Sequence, residues 1–200
     1  MIRLTLRLTL FLIALFSAAL AAAHLRPFDP VLNQMLDPSP GCRPTSLCFM
    51  GIYPGSTTLG KAVGVLKLNP WVGDIDSRMS TQISWTWSGK QPAYIDDSVP
   101  GSAVVRDSDS ISLIRVKTRY SYGDIWLQLG TPEEGYAMRQ PDGFVHGVYY
   151  TRYSLLAINS LTCPGEINDF WTLPVMIQFG DAYITLNDHY RDQFSQFRAC

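Results

Sequence analysis

Charge is scarce in this chain of 200 residues. Asp, Glu, Lys and Arg make up 16% of it, with 16 basic against 17 acidic residues. A chain without a basic excess lacks the clustered positive surface that displaces counterions from phosphates, so general nucleic-acid binding is excluded. Histidine is scarcer still. His24, His146 and His189 lie far apart, and no C-x-x-C occurs, so no metal centre is expected. The motifs G-x-S-x-G, H-E-x-x-H, G-x-x-x-x-G-K-[ST] and G-x-G-x-x-G are all missing. No cofactor and no catalytic residue is therefore assigned, although catalytic groups can converge from distant parts of a chain without any motif. Long apolar runs are missing too, with one exception.

That exception sets the expected compartment. Arg3 and Arg7 form a cationic head, Leu8 to Ala23 an apolar run, and Ala21 and Ala23 a small-residue end. Such a sequence over residues 1–23 reads as a secretory leader, and it falls short of the ~20 apolar residues that span a bilayer. Cleavage is favoured over retention as an N-terminal anchor. Loss of Arg3 and Arg7 with this segment leaves 14 basic and 17 acidic residues. In an oxidising compartment, Cys42, Cys48, Cys163 and Cys200 read as two disulfides. Three pairings are possible. Cys42 with Cys48 closes a small loop and leaves Cys163 with Cys200, and this pairing is preferred.

Hydrophobic content of 46% and aromatic content of 12% are values of a globular domain. Residues 24–50 carry Pro27, Pro30, Pro38, Pro40 and Pro44, and read as an extended arm with one helical turn around Val31–Leu36. Regular structure is expected from Phe49 onward. Leu59, Ala62, Val63 and Leu66 then fall at i, i+3, i+4 and i+7, one face of a helix that Thr57 or Thr58 caps and Asn69-Pro70 stops. Sixty-three residues on, Tyr122, Ile125, Trp126 and Leu129 repeat that face. Ser121 and Asp124 stand in capping-box positions, and Gly130 and Pro132 close the helix.

Strand patterns follow each helix. Ile83, Trp85 and Trp87 alternate with polar residues, and further strands are expected at Ala103–Arg106 and Ile111–Arg119. The second set comprises Gly135–Arg139, a bent or split Val145–Ile158, and Val175–Phe179. The last turns at Gly180-Asp181 into Tyr183–Leu186. The fold class is α+β: a tandem repeat of one short helix and an antiparallel meander, over residues 51–120 and 121–200.

Gly51, Gly55, the threonine cap, Ala62 and Leu66, with the second helix ending in Leu129-Gly130-x-Pro132, make the chain similar to two families. One is the β-lactamase inhibitor protein type, a secreted tandem repeat of helix and sheet. The other is the small outer-membrane assembly lipoproteins, which hold one such unit. The resemblance runs from Gly51 to about Leu186. It implies a domain that binds other proteins across its sheet and catalyses nothing. Unlike those lipoproteins, this chain has no lipid-bearing cysteine after the leader.

Candidate sites are few. Asp74 with Asp76 and Asp107 with Asp109 could bind calcium or divide acid and base roles. A solvated strand face explains the first pair better, and turn formation the second, since Ile111 stands where a calcium loop needs an oxygen ligand. Asp188, His189 and Asp192 place a histidine beside acids, but no nucleophile accompanies them, and an exposed polar turn is preferred. Arg115, Lys117 and Arg119 alternate and share one strand face. They could hold an anionic partner, although the preferred reading makes them charges that protect an edge strand from pairing with other chains. Tyr149 and Tyr150 point to opposite faces, so one of them should be exposed. Trp71, Trp85, Trp87, Trp126 and Trp171 are read mainly as core, with binding as their other use. The expected function is a non-enzymatic extracytoplasmic module that binds a protein or envelope component. The alternative is a secreted hydrolase or carbohydrate-active protein using dispersed acids with His146 or His189.

Overall fold

The computed structural model describes residues 7, 9, 11–18, 48–105 and 109–180. Contacts divide the chain into two units, Met1–Asn33 and Gln34–Cys200. In the first, residues 11–18 are helical, with Phe11, Leu12, Ile13, Leu15 and Phe16 exposed. No helix among the described residues is long and apolar enough to cross a membrane.

The second unit is an α+β domain built on one eight-stranded antiparallel sheet. Helix α1 (Leu59–Leu68) precedes β1 (Val72–Met79), β2 (Gln82–Trp87), β3 (Gly101–Val105) and β4 (Ile111–Ser121). Helix α2 (Tyr122–Leu129) precedes β5 (Glu134–Gln140), β6 (Gly143–Tyr150) and β7 (Leu155–Thr162). A short α3 (Ile167–Thr172) then leads into β8 (Pro174–Gly180). The strand order is β1-β2-β3-β4-β8-β7-β6-β5, so the four strands after α1 and the four after α2 form two sets that meet at β4 and β8.

The helices start and stop where their polar residues dictate. Thr58 caps α1 by accepting from the Lys61 amide at 3.4 Å, and Ala62 and Leu66 are its buried positions. At α2, Ser121 Oγ accepts from the Asp124 amide and the Asp124 carboxylate accepts from the Ser121 amide at 2.8 Å, the reciprocal box its sequence predicts. Tyr122 and Ile125 are fully buried beneath it. The α3 helix was not expected from the sequence. Six residues give too few turns for a periodic signal, and its stability comes from packing. Phe170 lies against Tyr122 at 4.6 Å between ring centroids, and its carbonyl accepts from Asn159 Nδ2.

The bent segment after β5 is two strands. Residues Thr151–Tyr153 form a 3-10 turn, and Ser154 takes a left-handed conformation (φ 44°) that reverses the chain. Ile114, Val116, Leu155, Ala157, Val175, Ile177 and Phe179 point to the face that α2 and α3 cover, and all are buried. Phe49 stacks on Phe179 at 5.4 Å. Expectations for Val31–Leu36, the Gly180-Asp181 turn and Tyr183–Leu186 fall outside the described residues.

Neither Cys48 nor Cys163 is a free thiol. Cys42 and Cys200, on which the expected pairing depends, lie outside the described residues.

Candidate functional site on the Arg115 face

One row of paired residues crosses the whole sheet on the face opposite α2 and α3. It runs Asp76, Ser84, Ser102, Arg115, Gln178, Leu156, Tyr149 and Glu134, each directly opposite the next. Side chains in register across an antiparallel sheet share a face. The row beside it carries Lys117, Met176, Ile158, Gly147 and Tyr136. The ring of Tyr136 lies over Gly147, where any Cβ would collide with it. Tyr136 and Leu156 are buried, and Val145, Tyr149 and Ile158 pack against them. An apolar and aromatic band thus occupies the β5–β8 half of this face, with arginine and lysine at its margin.

The edge-strand reading of Arg115, Lys117 and Arg119 is overturned. Strand β4 pairs with β3 on one side and β8 on the other, so it is central and has no edge to protect. Where β3 ends, Ile95 and Asp96 continue the pairing, with the Asp96 amide donating to the Lys117 carbonyl. The three cations are also not equivalent. Arg119 is held by Asp97 at 3.0 Å. Lys117 is half-buried, and its Nζ donates to the Pro174 carbonyl at 2.9 Å. Burial lowers the Lys117 pKa, and the Asp96 carboxylate opposes part of that fall. Arg115 is exposed and makes no ion pair with the described residues.

A groove of about 410 Å³ lies along this seam. Arg115 and Lys117 line it together with Ile158, Met176, Gln178 and Ser160. Burial raises the Tyr136 hydroxyl pKa, and Arg115 is near enough to offset part of that rise. A second hollow, of about 560 Å³, lies by β1 and includes Asp74, Asp76 and Arg78. There Asp76 accepts from Arg78, which brings its pKa down to about 2, and both aspartates are exposed as a solvated strand face requires.

No family model and no curated protein matches the chain. Among solved structures, it is similar to a DUF4309 family protein (YjgB) from Bacillus subtilis, with a TM-score of 0.42 at 13% identity. The match covers 76% of this chain and 95% of that one. The functional reading therefore rests on the geometry of the face.

The remaining candidates separate clearly. Tyr149 lies on the Arg115 face, but Tyr150 does not: it is buried on the other face, where its hydroxyl donates to the Gly130 carbonyl at 3.3 Å. Trp85 is core and Trp87 is half-buried, its indole N–H donating to the Val99 carbonyl. His146 is buried with Phe144 and Phe170 around it, and burial lowers its pKa. A neutral imidazole enclosed by rings is poorly placed to take a proton from a substrate. Asp109 is exposed in a bend, where its carbonyl accepts from the Leu59 amide. Asp107, Asp188, His189 and Asp192 lie outside the described residues. Sequence reasoning missed Tyr136, Ile158, Met176 and Gln178. Alternation shows which residues share a face of one strand, but not that β8 lies beside β4.

Proposed function

We propose that this chain is an extracytoplasmic, non-enzymatic binding domain that engages a protein or envelope component through its Arg115 face. One observation carries the reading. Tyr149, Val145, Ile158 and Met176 are only partly covered, and they share with Arg115 the face away from α2 and α3, with Ile158 and Met176 lining the same groove as the cation. A partly exposed band of apolar side chains with a tyrosine, bordered by an arginine, has the composition of an interface centre. Residues 1–23 serve as the export leader or anchor, and the four cysteines form two disulfides. The succession of α1 with four strands and α2 with four strands, joined through β4 and β8, supports a tandem origin of the two halves.

The test uses exported protein carrying Ile158→Asp and, separately, Leu127→Asp. Leu127 is 84% exposed on α2, on the opposite side of the sheet. Envelope partners cross-linked to the native chain should be lost with Ile158→Asp and kept with Leu127→Asp, while both variants melt near the native temperature. Partners lost only with Leu127→Asp would overturn the assignment of the face. Export is read separately, by N-terminal sequencing and thiol counting of the secreted product.

A further inference from the structure

We infer that the partner presents an acidic protein segment, whose carboxylate seats on Arg115 while a neighbouring apolar side chain rests on Met176 and Ile158. The inference rests on the binding reading above and adds to it the chemistry of the partner.

Arg115 stands in the middle of the sheet with no counter-charge among the described residues. The carboxylates in its own row are Glu134, four strands away, and Asp76, three strands away. At ~4.8 Å per strand these lie roughly 19 and 14 Å off. Both distances exceed the ~10 Å screening length at 0.1 M salt. Asp76 is moreover held by Arg78, and the acids of the segment that pairs with the end of β4 are engaged with other groups: Asp97 pairs with Arg119, and Asp96 accepts from Ser98 and acts on Lys117. Lys117 adds positive potential along the same groove, and none of the described residues lining the groove is acidic. An arginine of this kind offers a planar fork that matches a carboxylate in two-point geometry.

The rest of the groove selects a peptide over a lipid. Met176 and Ile158 form an apolar floor, but Ser102, Ser160 and Gln178 interrupt it with hydroxyl and amide groups. An acyl chain would cover those groups without hydrogen-bonding them, which costs free energy, whereas a peptide backbone supplies partners. A volume of about 410 Å³ suits a few residues of an extended segment and lies within the usual range of ligand clefts.

The experiment titrates the full chain with a fluorescein-labelled hexapeptide of alternating leucine and aspartate, and with counterparts carrying asparagine or lysine in place of aspartate. Anisotropy gives affinity, and amide NMR shifts give the location. The aspartate peptide should perturb Leu113–Lys117, Leu156–Ser160 and Met176–Gln178. It should bind at least tenfold tighter than the asparagine peptide and weaken as salt rises. Arg115→Ala should remove that tenfold preference and Arg115→Lys should restore part of it. Because Arg115 is exposed, neither variant should lose its fold. Equal binding of the aspartate and asparagine peptides at this face would overturn the acidic partner while leaving the binding surface standing. Shifts confined to α2 and α3 would overturn both, and no binding by any peptide would overturn the acidic partner. Phosphatidylglycerol vesicles bound at this face in preference to the peptides would overturn it in favour of a membrane surface.

Discussion

Arg115 of β4 and Gln178 of β8 face each other across the seam that joins two four-stranded sets into one sheet. Beside them on the other face, Ile177 sits between Val116 and Ala157 and is fully buried. The seam therefore belongs to both halves, and loss of packing there should be felt by all eight strands. Ile177→Ala should destabilise the domain by about 2–5 kcal/mol. Urea unfolding followed by tryptophan fluorescence and by far-ultraviolet circular dichroism should stay a single coincident transition. Two separated transitions would show that the halves fold independently.

Gly101 has a packing reason to be glycine. A Cβ there would enter the indole of Trp85, which is 1% exposed. Gly101→Ala should cost about 1–3 kcal/mol through displacement of that ring. Gly60→Ala is the control, since a Cβ at Gly60 meets nothing within 4 Å and lies in a helix. It should be neutral or stabilising by up to ~1 kcal/mol. Equal melting temperatures for the two variants would contradict the crowding at Gly101.

Tyr122 is fully buried at the start of α2, and its hydroxyl has no hydrogen-bond partner among the described residues. Burial raises its pKa. An unpaired buried hydroxyl is a cost, so removing it should not harm the fold. Tyr122→Phe should match the native stability or exceed it by about 1–2 kcal/mol in thermal unfolding. A loss of more than 1 kcal/mol would mean that the hydroxyl is hydrogen-bonded after all.

His146 makes stability depend on pH with a definite sign. Its folded pKa lies below the ordinary 6.5 because burial disfavours the cation. Below 6.5 the unfolded chain binds the proton and the folded chain resists it, so stability falls as pH drops through this window. Melting temperature should decline from pH 7 toward pH 5, and His146→Phe should flatten that decline. Arg115, Lys117 and Arg119 are on the opposite face, while Phe144, Phe170 and Asn159 surround the imidazole on its own side. An unchanged slope in the variant would assign the titration to other groups.

Local signals in the sequence were sufficient for the helices. The caps at Thr58 and Ser121, and the apolar spacing at Ala62, Leu66, Tyr122 and Ile125, act within one or two turns and are complete in the chain itself. Alternation likewise placed β2, β4 and β8. It also put Arg115, Lys117 and Arg119 together, because side-chain direction along a strand depends only on a period of two. Helix α3 left no such mark, since six residues around Phe170 are held by Tyr122 and Asn159, which come from other elements.

The amino-acid sequence alone determined the helices α1 and α2, the strands β2, β4 and β8, and which of their residues share a side. The tertiary structure alone decided that β4 is central, that Arg115 lies beside Met176 and Ile158, and that Tyr150 is buried while Tyr149 is not. Hydrogen bonds between strands are made by backbone groups common to every residue. The choice of β8 as neighbour to β4, some 57 residues away at Thr118 and Val175, is therefore set by how two apolar faces close over one core.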